Sequence, residues 1–162
     1  TTVTERLRAM ARGERSWWVR GAAMRALVTV DSSVALDVAR DMLKRTEWRD
    51  LARVAALESL GRIQSPEARA LIAEHLDRGA RQGRVAAINA LVAQASSSDT
   101  SVARMLEPLL SDDDLFIRSA AAGALGRIGA RNSVTALEAR RAVEQEPRVR
   151  MAIDQAIRRI GS

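Results

Sequence analysis

Cysteine and tyrosine are absent from this 162-residue chain, which holds one His, one Phe and three Trp. Each scarcity excludes something. Without Cys there is no disulfide framework and no Cys-based zinc site. With His75 as the single His, the paired histidines of a zinc-binding helix cannot lie here. There is no Gly-rich phosphate loop, no Cys/His pair and no carboxylate cluster at metal-ligand spacing, so neither catalysis nor a cofactor or metal is expected. No apolar run reaches the roughly 18 residues that a membrane span needs. Few aromatics argue against a β-sandwich or barrel. Lack of Cys leaves the compartment open, with the cytoplasm as the default. The chain starts at Thr1 rather than Met, and it is expected to be part of a longer protein.

What is there is Ala and Arg. Basic residues number 26 and acidic residues 20, giving +6, and all the basic ones but Lys44 are Arg. Apolar residues make up 47%, which with mixed charges excludes a disordered chain. Ala, Arg and Leu are strong helix formers.

The chain repeats itself. A unit anchored on Arg20 recurs at Arg53, Arg84, Arg118 and Arg150, with spacings of 33, 31, 34 and 32. Two residues after each Arg stands Ala22, Ala55, Ala86, Ala120 or Ala152. The third residue is Ala23, Ala56, Ala87, Ala121 or Ile153, and the seventh is Leu27, Leu60, Leu91, Leu125 or Ile157. The tenth is Val30, Ile63, Gln94, Ile128 or Ile160. These offsets share one side of a helix turning 100° per residue. Five further helices are predicted over Val3–Ala11, Ser33–Lys44, Pro66–Leu76, Ser101–Leu110 and Ser133–Val143. Ser65, Asp99 and Asn132 serve as N-caps in this reading, with Pro66 and Pro147 at helix starts. Gly13, Gly79 and Gly129 mark turns, and Pro108 kinks or shortens its helix. Five two-helix units follow, at approximately 1–30, 31–63, 64–95, 96–129 and 130–162, read as one domain. Stacked, they make an all-α, right-handed α-solenoid with an inner helix row on its concave face.

The segment Phe116-Ile117-Arg118-Ser119-Ala120-Ala121-Ala122-Gly123-Ala124-Leu125-Gly126-Arg127-Ile128-Gly129 resembles the second helix of a HEAT-like repeat of the phycobilisome-lyase type, and Leu51–Ile63 is similar. That resemblance implies the solenoid and leaves the partner open. The run Leu43–Leu57 and the segment Ser16–Arg20 also resemble repeats that follow the catalytic part of bacterial membrane-alanyl-aminopeptidase-like proteins. This second resemblance implies a C-terminal accessory region.

Three sets of residues are candidate sites. The first is a structural ladder of Arg20, Arg53, Arg84, Arg118 and Arg150. Six residues before each stand Glu14, Glu47, Arg78, Asp112 and Glu144, so an acid precedes four of the five. In HEAT-like families a similar ladder ties adjacent repeats together, and the planar fork of Arg suits bridging two acceptors. The second is the basic patch Arg78, Arg81 and Arg84, left where the third unit lacks its acid. The third is an apolar stripe of Met24, Val54, Leu57, Val85, Ile88 and Val92, expected to face away from the core and contact a partner. Packing between inner helices is the competing explanation of that stripe. Arg62, Arg127 and Arg159 form a second, interrupted basic row. Trp18 is expected to pack under its turn, where Leu51 and Phe116 hold matching positions, with Trp17 exposed. His75 reads as a partly exposed helix residue, and Asp112-Asp113-Asp114 as capping and ladder acids.

The function expected is a non-catalytic protein-interaction scaffold. Its partner is a protein, a peptide or another domain of the same parent chain, bound on the concave face. The alternatives are a HEAT-like nucleic-acid-binding or DNA-repair protein and the aminopeptidase-like accessory region. Nucleic acid is disfavoured, because the basic residues form no contiguous stripe.

Overall fold

Helix starts in this chain follow capping chemistry. Thr2 Oγ1 accepts from Glu5 N at 3.2 Å while Glu5 Oε2 accepts from Thr2 N at 2.8 Å, a capping box that opens α1, Val3–Gly13. Ser16 caps α2, Trp17–Val30. Asp31 closes α2 and caps α3, Ser32–Leu43, by accepting from Ser33 and Val34 N–H groups. The computed structural model describes residues 2–44 and 51–162; Glu47 and Trp48 lie outside them. Next come α4, Leu51–Leu60, and α5, Pro66–Ala73, the latter capped by Ser65 with Pro66 in its first turn. Then follow α6, Arg81–Gln94, and α7, Thr100–Leu106, capped by Asp99. The final helices are α8, Leu115–Ile128, α9, Val134–Val143, and α10, Pro147–Gly161. Among the described residues all regular structure is helical, and no helix is long and apolar enough to cross a membrane.

Three details differ from expectation. Helix α5 stops at Ala73, so His75 sits in the following turn rather than on a helix. Asn132 is not a cap, because a 3₁₀ turn over Arg131–Ser133 leads into α9. Gly13 ends α1 instead of lying in a turn. Pro108 acts as its chemistry requires: α7 ends at Leu106 and a 3₁₀ turn, Glu107–Ser111, takes over.

The chain gathers into two compact units, Thr1–Gln94 and Ala95–Ser162. In the first, α4 packs against α2, α3, α5 and α6. Ala23, Leu27, Ala56, Leu60, Ala87 and Leu91, the third and seventh residues after their ladder Arg, are buried. In the second, α10 packs on α8, and Ala121, Leu125 and Ile153 are buried.

The apolar stripe needs correction. Met24, Leu57 and Ile88 are fully buried, each 0% exposed, so they cannot meet a partner. They stand four residues after the ladder Arg, only about 60° around the helix from the Leu at seven. Helices flanked by neighbours on two sides bury that wider arc. Val54, Val85 and Val92 lie further round and are half-buried.

Close approach between successive repeats rests on missing side chains. A Cβ built on Gly61 would lie 2.9 Å from Ala90 Cα, and one on Gly126 would lie 2.7 Å from Ala156 Cα. Both glycines stand eight residues after a ladder Arg, and both alanines six residues after the next one. Gln94, the polar exception among the tenth residues, is also buried. Its Nε2 donates to Leu60 O at 2.9 Å and Ile63 O at 2.8 Å, tying the last carbonyl of α4 to the turn that follows it.

The ladder is clearest between α8 and α10. Arg118 donates through Nε to Glu144 Oε2 at 2.8 Å and through Nη2 to Glu144 Oε1 at 3.1 Å. Its Nη1 donates to the carbonyls of Asp112 and Asp113 at 2.8 and 3.0 Å. One guanidinium thus binds the turn before its own helix and the acid of the following repeat. Arg150 donates to the carbonyl of Glu144, six residues before it, at 2.6 Å. Glu144 also accepts from Arg140 and from the N–H groups of Gln145 and Glu146. The hydrogen bonds from Arg118, then those from the Glu146 N–H and Arg140, outweigh the opposing effect of burial and hold this carboxyl at about 2, down from 4.5.

Two predictions follow from this packing. A carboxyl lowered on folding stabilises the fold above its unfolded value near 4.5, and that contribution is lost as pH falls towards about 2. The shift corresponds to roughly 3 kcal/mol. Urea unfolding of wild type is expected to weaken steeply across that window. Glu144→Gln, which strands the buried Arg118, is expected to be less stable near neutral pH by about 3–5 kcal/mol and to lose most of the acid slope; an unchanged slope would contradict the assignment. The second concerns two glycines of α8. Gly126→Ala should destabilise by about 1–3 kcal/mol, because the backbone of α10 must yield. Gly123→Ala should stabilise by up to ~1 kcal/mol, since its Cβ would meet only Arg127 Nη1, at 3.7 Å. Thermal unfolding of the two variants that moved in the same direction would refute the close-approach argument.

Candidate functional site

In the first unit a cleft of about 660 Å³ lies between the end of α3, the start of α4 and the turn after α5. Leu43 and Leu71 supply its apolar lining, and Arg40, Lys44, Arg53 and Arg78 bring four cations to it. Glu74, His75 and Gly79 also line it among the described residues. Local structure explains the convergence. Arg40 and Lys44 are four residues apart, so they share a face at the C-terminal end of α3, where cations also suit the helix dipole. Arg53 sits in the first turns of α4. Arg78 reaches the cleft from the bend that includes Gly79, whose φ of 86° suits a residue without Cβ.

The charges are unequally committed. Arg40 pairs with Asp37 at 3.0 Å, both side chains being well exposed. The side chain of Arg78 is 71% exposed, with Asp77 at 4.0 Å, the outer limit of an ion pair and worth little in water. His75 Nδ1 lies 3.0 Å from the Leu71 carbonyl. A carbonyl only accepts, so Nδ1 carries the proton and the ring is anchored by it.

The structure therefore divides the expected basic patch. Arg78 joins the cleft. Arg84 instead donates to the carbonyl of Leu76 at 2.6 Å, in the manner of a ladder Arg. Arg81 is exposed at the first turn of α6 and does not line the cleft. Arg40 and Lys44 escaped the sequence reading, which followed the ladder register, and His75 was read there only as a partly exposed helix residue. The available signal was the four-residue spacing of Arg40 and Lys44 at a helix end.

The remaining candidates sort as follows. Glu14 closes α1, its N–H donating to the Met10 carbonyl. Trp18 does not pack under its turn: it is 63% exposed and Trp17 42%, the two indoles meeting edge to face at 5.4 Å. Phe116, at the matching position, is half-buried beneath Arg148, whose guanidinium lies 5.0 Å from the ring centroid. Asp114 accepts from Phe116 N and caps α8, and the Asp112 carboxylate accepts from Asp114 N. In the second unit, Arg127 and Arg159 line a shallow pocket of about 140 Å³ floored by Gly126 and Ala156. Loss of solvent, then the nearby Arg159 charge, lowers the pKa of Arg127.

Comparison with known proteins places this architecture. No curated protein matches the chain. Among solved structures, one chain of the complex of CpcE and CpcF of phycocyanin lyase from Nostoc sp. PCC7120 is similar, with 21% identity and a TM-score of 0.70 over 95% of this chain and 97% of that one. An engineered protein is similar at 18% identity and a TM-score of 0.58, over 98% of this chain and 79% of that one. At such identities the likeness shows the fold alone, an all-α solenoid. The family model for HEAT repeats matches residues 4–92 and 80–158. With nearly its whole length matched, the chain belongs to the HEAT-repeat family.

Proposed function

We propose that this chain is a non-catalytic scaffold that binds a protein partner. The observation that carries the reading is the Trp17–Trp18 pair. Two indoles, 42% and 63% exposed, stand together at the start of α2, which the Ser16 cap holds in place. Keeping that much aromatic surface in water is unfavourable, and covering it with a partner recovers part of the cost. Trp is enriched among residues that dominate interface energies. HEAT repeats suit the task, since a preformed helical stack loses little conformational freedom on binding. The phycocyanin lyase structure, a complex of two chains, supports the same reading.

The test is co-isolation from native cells after chemical crosslinking, with wild type and the Trp17→Ala/Trp18→Ala variant compared by quantitative mass spectrometry. A protein recovered in near-stoichiometric amount with wild type should be depleted about tenfold or more with the variant. Circular dichroism should show unchanged helicity, and wild-type Trp emission should shift to the blue on complex formation. Retention of the partner by the variant removes the Trp pair from the interface. Absence of any stoichiometric partner overturns the scaffold reading itself.

A further inference from the structure

The second unit carries almost no net charge, yet two of its cations face one small depression. Residues 95–162 hold 10 Arg against 9 Asp and Glu, a net of +1. Several of these charges are committed to one another or to the backbone. Arg118 and Arg140 bind Glu144, Arg141 pairs with Asp154, and Arg150 donates to the Glu144 carbonyl. Asp99 and Asp114 cap helices, and Glu107 accepts from Ser133. Arg127 and Arg159 stand nine residues after Arg118 and Arg150, so the register that packs α8 on α10 also sets these two side by side. Both line the depression of about 140 Å³, with Gln155 as a third polar side chain. Its floor is made of Gly123, Gly126, Ala152 and Ala156, so no group larger than a methyl fills it. Among the described residues, no acid lines it. Burial, then the neighbouring Arg159 charge, disfavours the cationic form of Arg127. An arriving anion therefore relieves an existing repulsion, whatever else Arg127 touches.

We propose that this depression holds a phosphate monoester carried on a side chain of a protein partner, with Arg159 and Arg127 gripping its oxygens and Gln155 adding a neutral donor. The inference rests on the scaffold reading above and names the chemistry of the partner. Three observations favour this ligand. Two cations and no lining acid match a group that carries close to two negative charges better than they match a single carboxylate. The planar fork of Arg meets phosphate oxygens two at a time, and a volume of about 140 Å³ has room for one such headgroup rather than for a base and its sugar. A nucleic-acid backbone presents one charge per phosphate and asks for a continuous basic stripe, which a unit of net charge +1 does not supply.

The experiment uses the full chain and a fluorescein-labelled peptide of Gly and Ala around one phosphoserine, followed by anisotropy at low salt. The same peptide with Ser or with Glu in place of phosphoserine serves as control. Wild type should bind the phosphopeptide, with affinity falling as salt rises. It should not bind the Ser peptide, and it should bind the Glu peptide about tenfold or more weakly. Arg159→Gln should weaken phosphopeptide binding by about tenfold or more. Arg158→Gln makes the same charge change on an exposed neighbour that does not line the depression, and it should alter binding by less than about threefold. Gly123→Leu fills the floor without touching charge. A Cβ there meets only Arg127 Nη1, at 3.7 Å, so circular dichroism should show a folded chain that binds the phosphopeptide about tenfold or more weakly. No phosphopeptide binding, equal binding of the Ser or Glu peptide, equal losses in the Arg158 and Arg159 variants, or full binding by a folded Gly123→Leu chain would each overturn the proposal. So would a DNA oligonucleotide that displaces the phosphopeptide in an Arg159-dependent way, which would assign the depression to nucleic acid. The two readings fail separately. A protein partner held through Trp17 and Trp18, with no Arg159-dependent phosphopeptide binding, sinks the phosphate proposal alone. Arg159-dependent phosphopeptide binding with no protein partner in cells sinks the scaffold reading.

Discussion

The second unit depends on one saturated carboxylate. Glu144 is 1% exposed at its side chain, yet it accepts from two arginines and two backbone N–H groups. A buried carboxylate is costly unless every lone pair is satisfied, and here the partners come from three places. Arg118 comes from the preceding repeat, Arg140 from the helix just before, and the N–H groups from the turn that Glu144 begins. Satisfying this group therefore fixes the angle at which α9 turns into α10 and the distance from α10 to α8. The backbone follows, because Arg150 binds the carbonyl of the same residue. The small residues complete the constraint: Gly126 lets Ala156 approach, which brings α10 close to α8 two turns further along.

That arrangement changes the meaning of the net charge. A chain with 26 basic residues against 20 acidic ones suggests an electropositive surface. Part of the Arg has structural work instead. Arg118 and Arg140 serve Glu144, Arg84 and Arg150 serve carbonyls, Arg12 pairs with Asp41 and Arg141 with Asp154. In the first unit Arg40, Lys44, Arg53 and Arg78 meet at one cleft, drawn from α3, α4 and one bend.

Sequence periodicity made the repeats legible because burial in a helical stack is enforced at fixed offsets. Ala23, Ala56, Ala87 and Ala121 are all buried, as are Leu27, Leu60, Leu91 and Leu125. The same reasoning failed at Met24, Leu57 and Ile88. A helical wheel assigns residues to a core face and an outer face, but a helix flanked on both sides has two buried faces, and the width of its buried arc depends on neighbours the wheel does not contain. The ladder showed a similar limit. The six-residue spacing of acid and Arg was plain, but it does not say which repeat the acid serves. Glu144 gives its side chain to Arg118 and its carbonyl to Arg150, a division set by where the turn places each group. Trp18 departed from expectation for a related reason. Phe116 has Arg148 over its ring, while the Trp18 indole packs edge to face on Trp17 and stays mostly in water.

The cleft was half legible. Arg78 stood out because it breaks a pattern, and a break in a repeat is informative where the pattern has a physical cause. The residues that join it were not legible, because Arg40, Lys44, Leu71 and His75 come from the other helix of each repeat or the turn that ends it, whose register is looser than that of the ladder helices. This difference has a physical origin. The ladder helices are constrained on two flanks by neighbouring repeats, so their sequences carry a strict period. Their partner helices are constrained on fewer sides and capped by varied means: Asp31 for α3, Ser65 with Pro66 for α5, and a 3₁₀ turn before α9. Variation is tolerated where packing is one-sided, and a surface free to vary is also one free to acquire a partner.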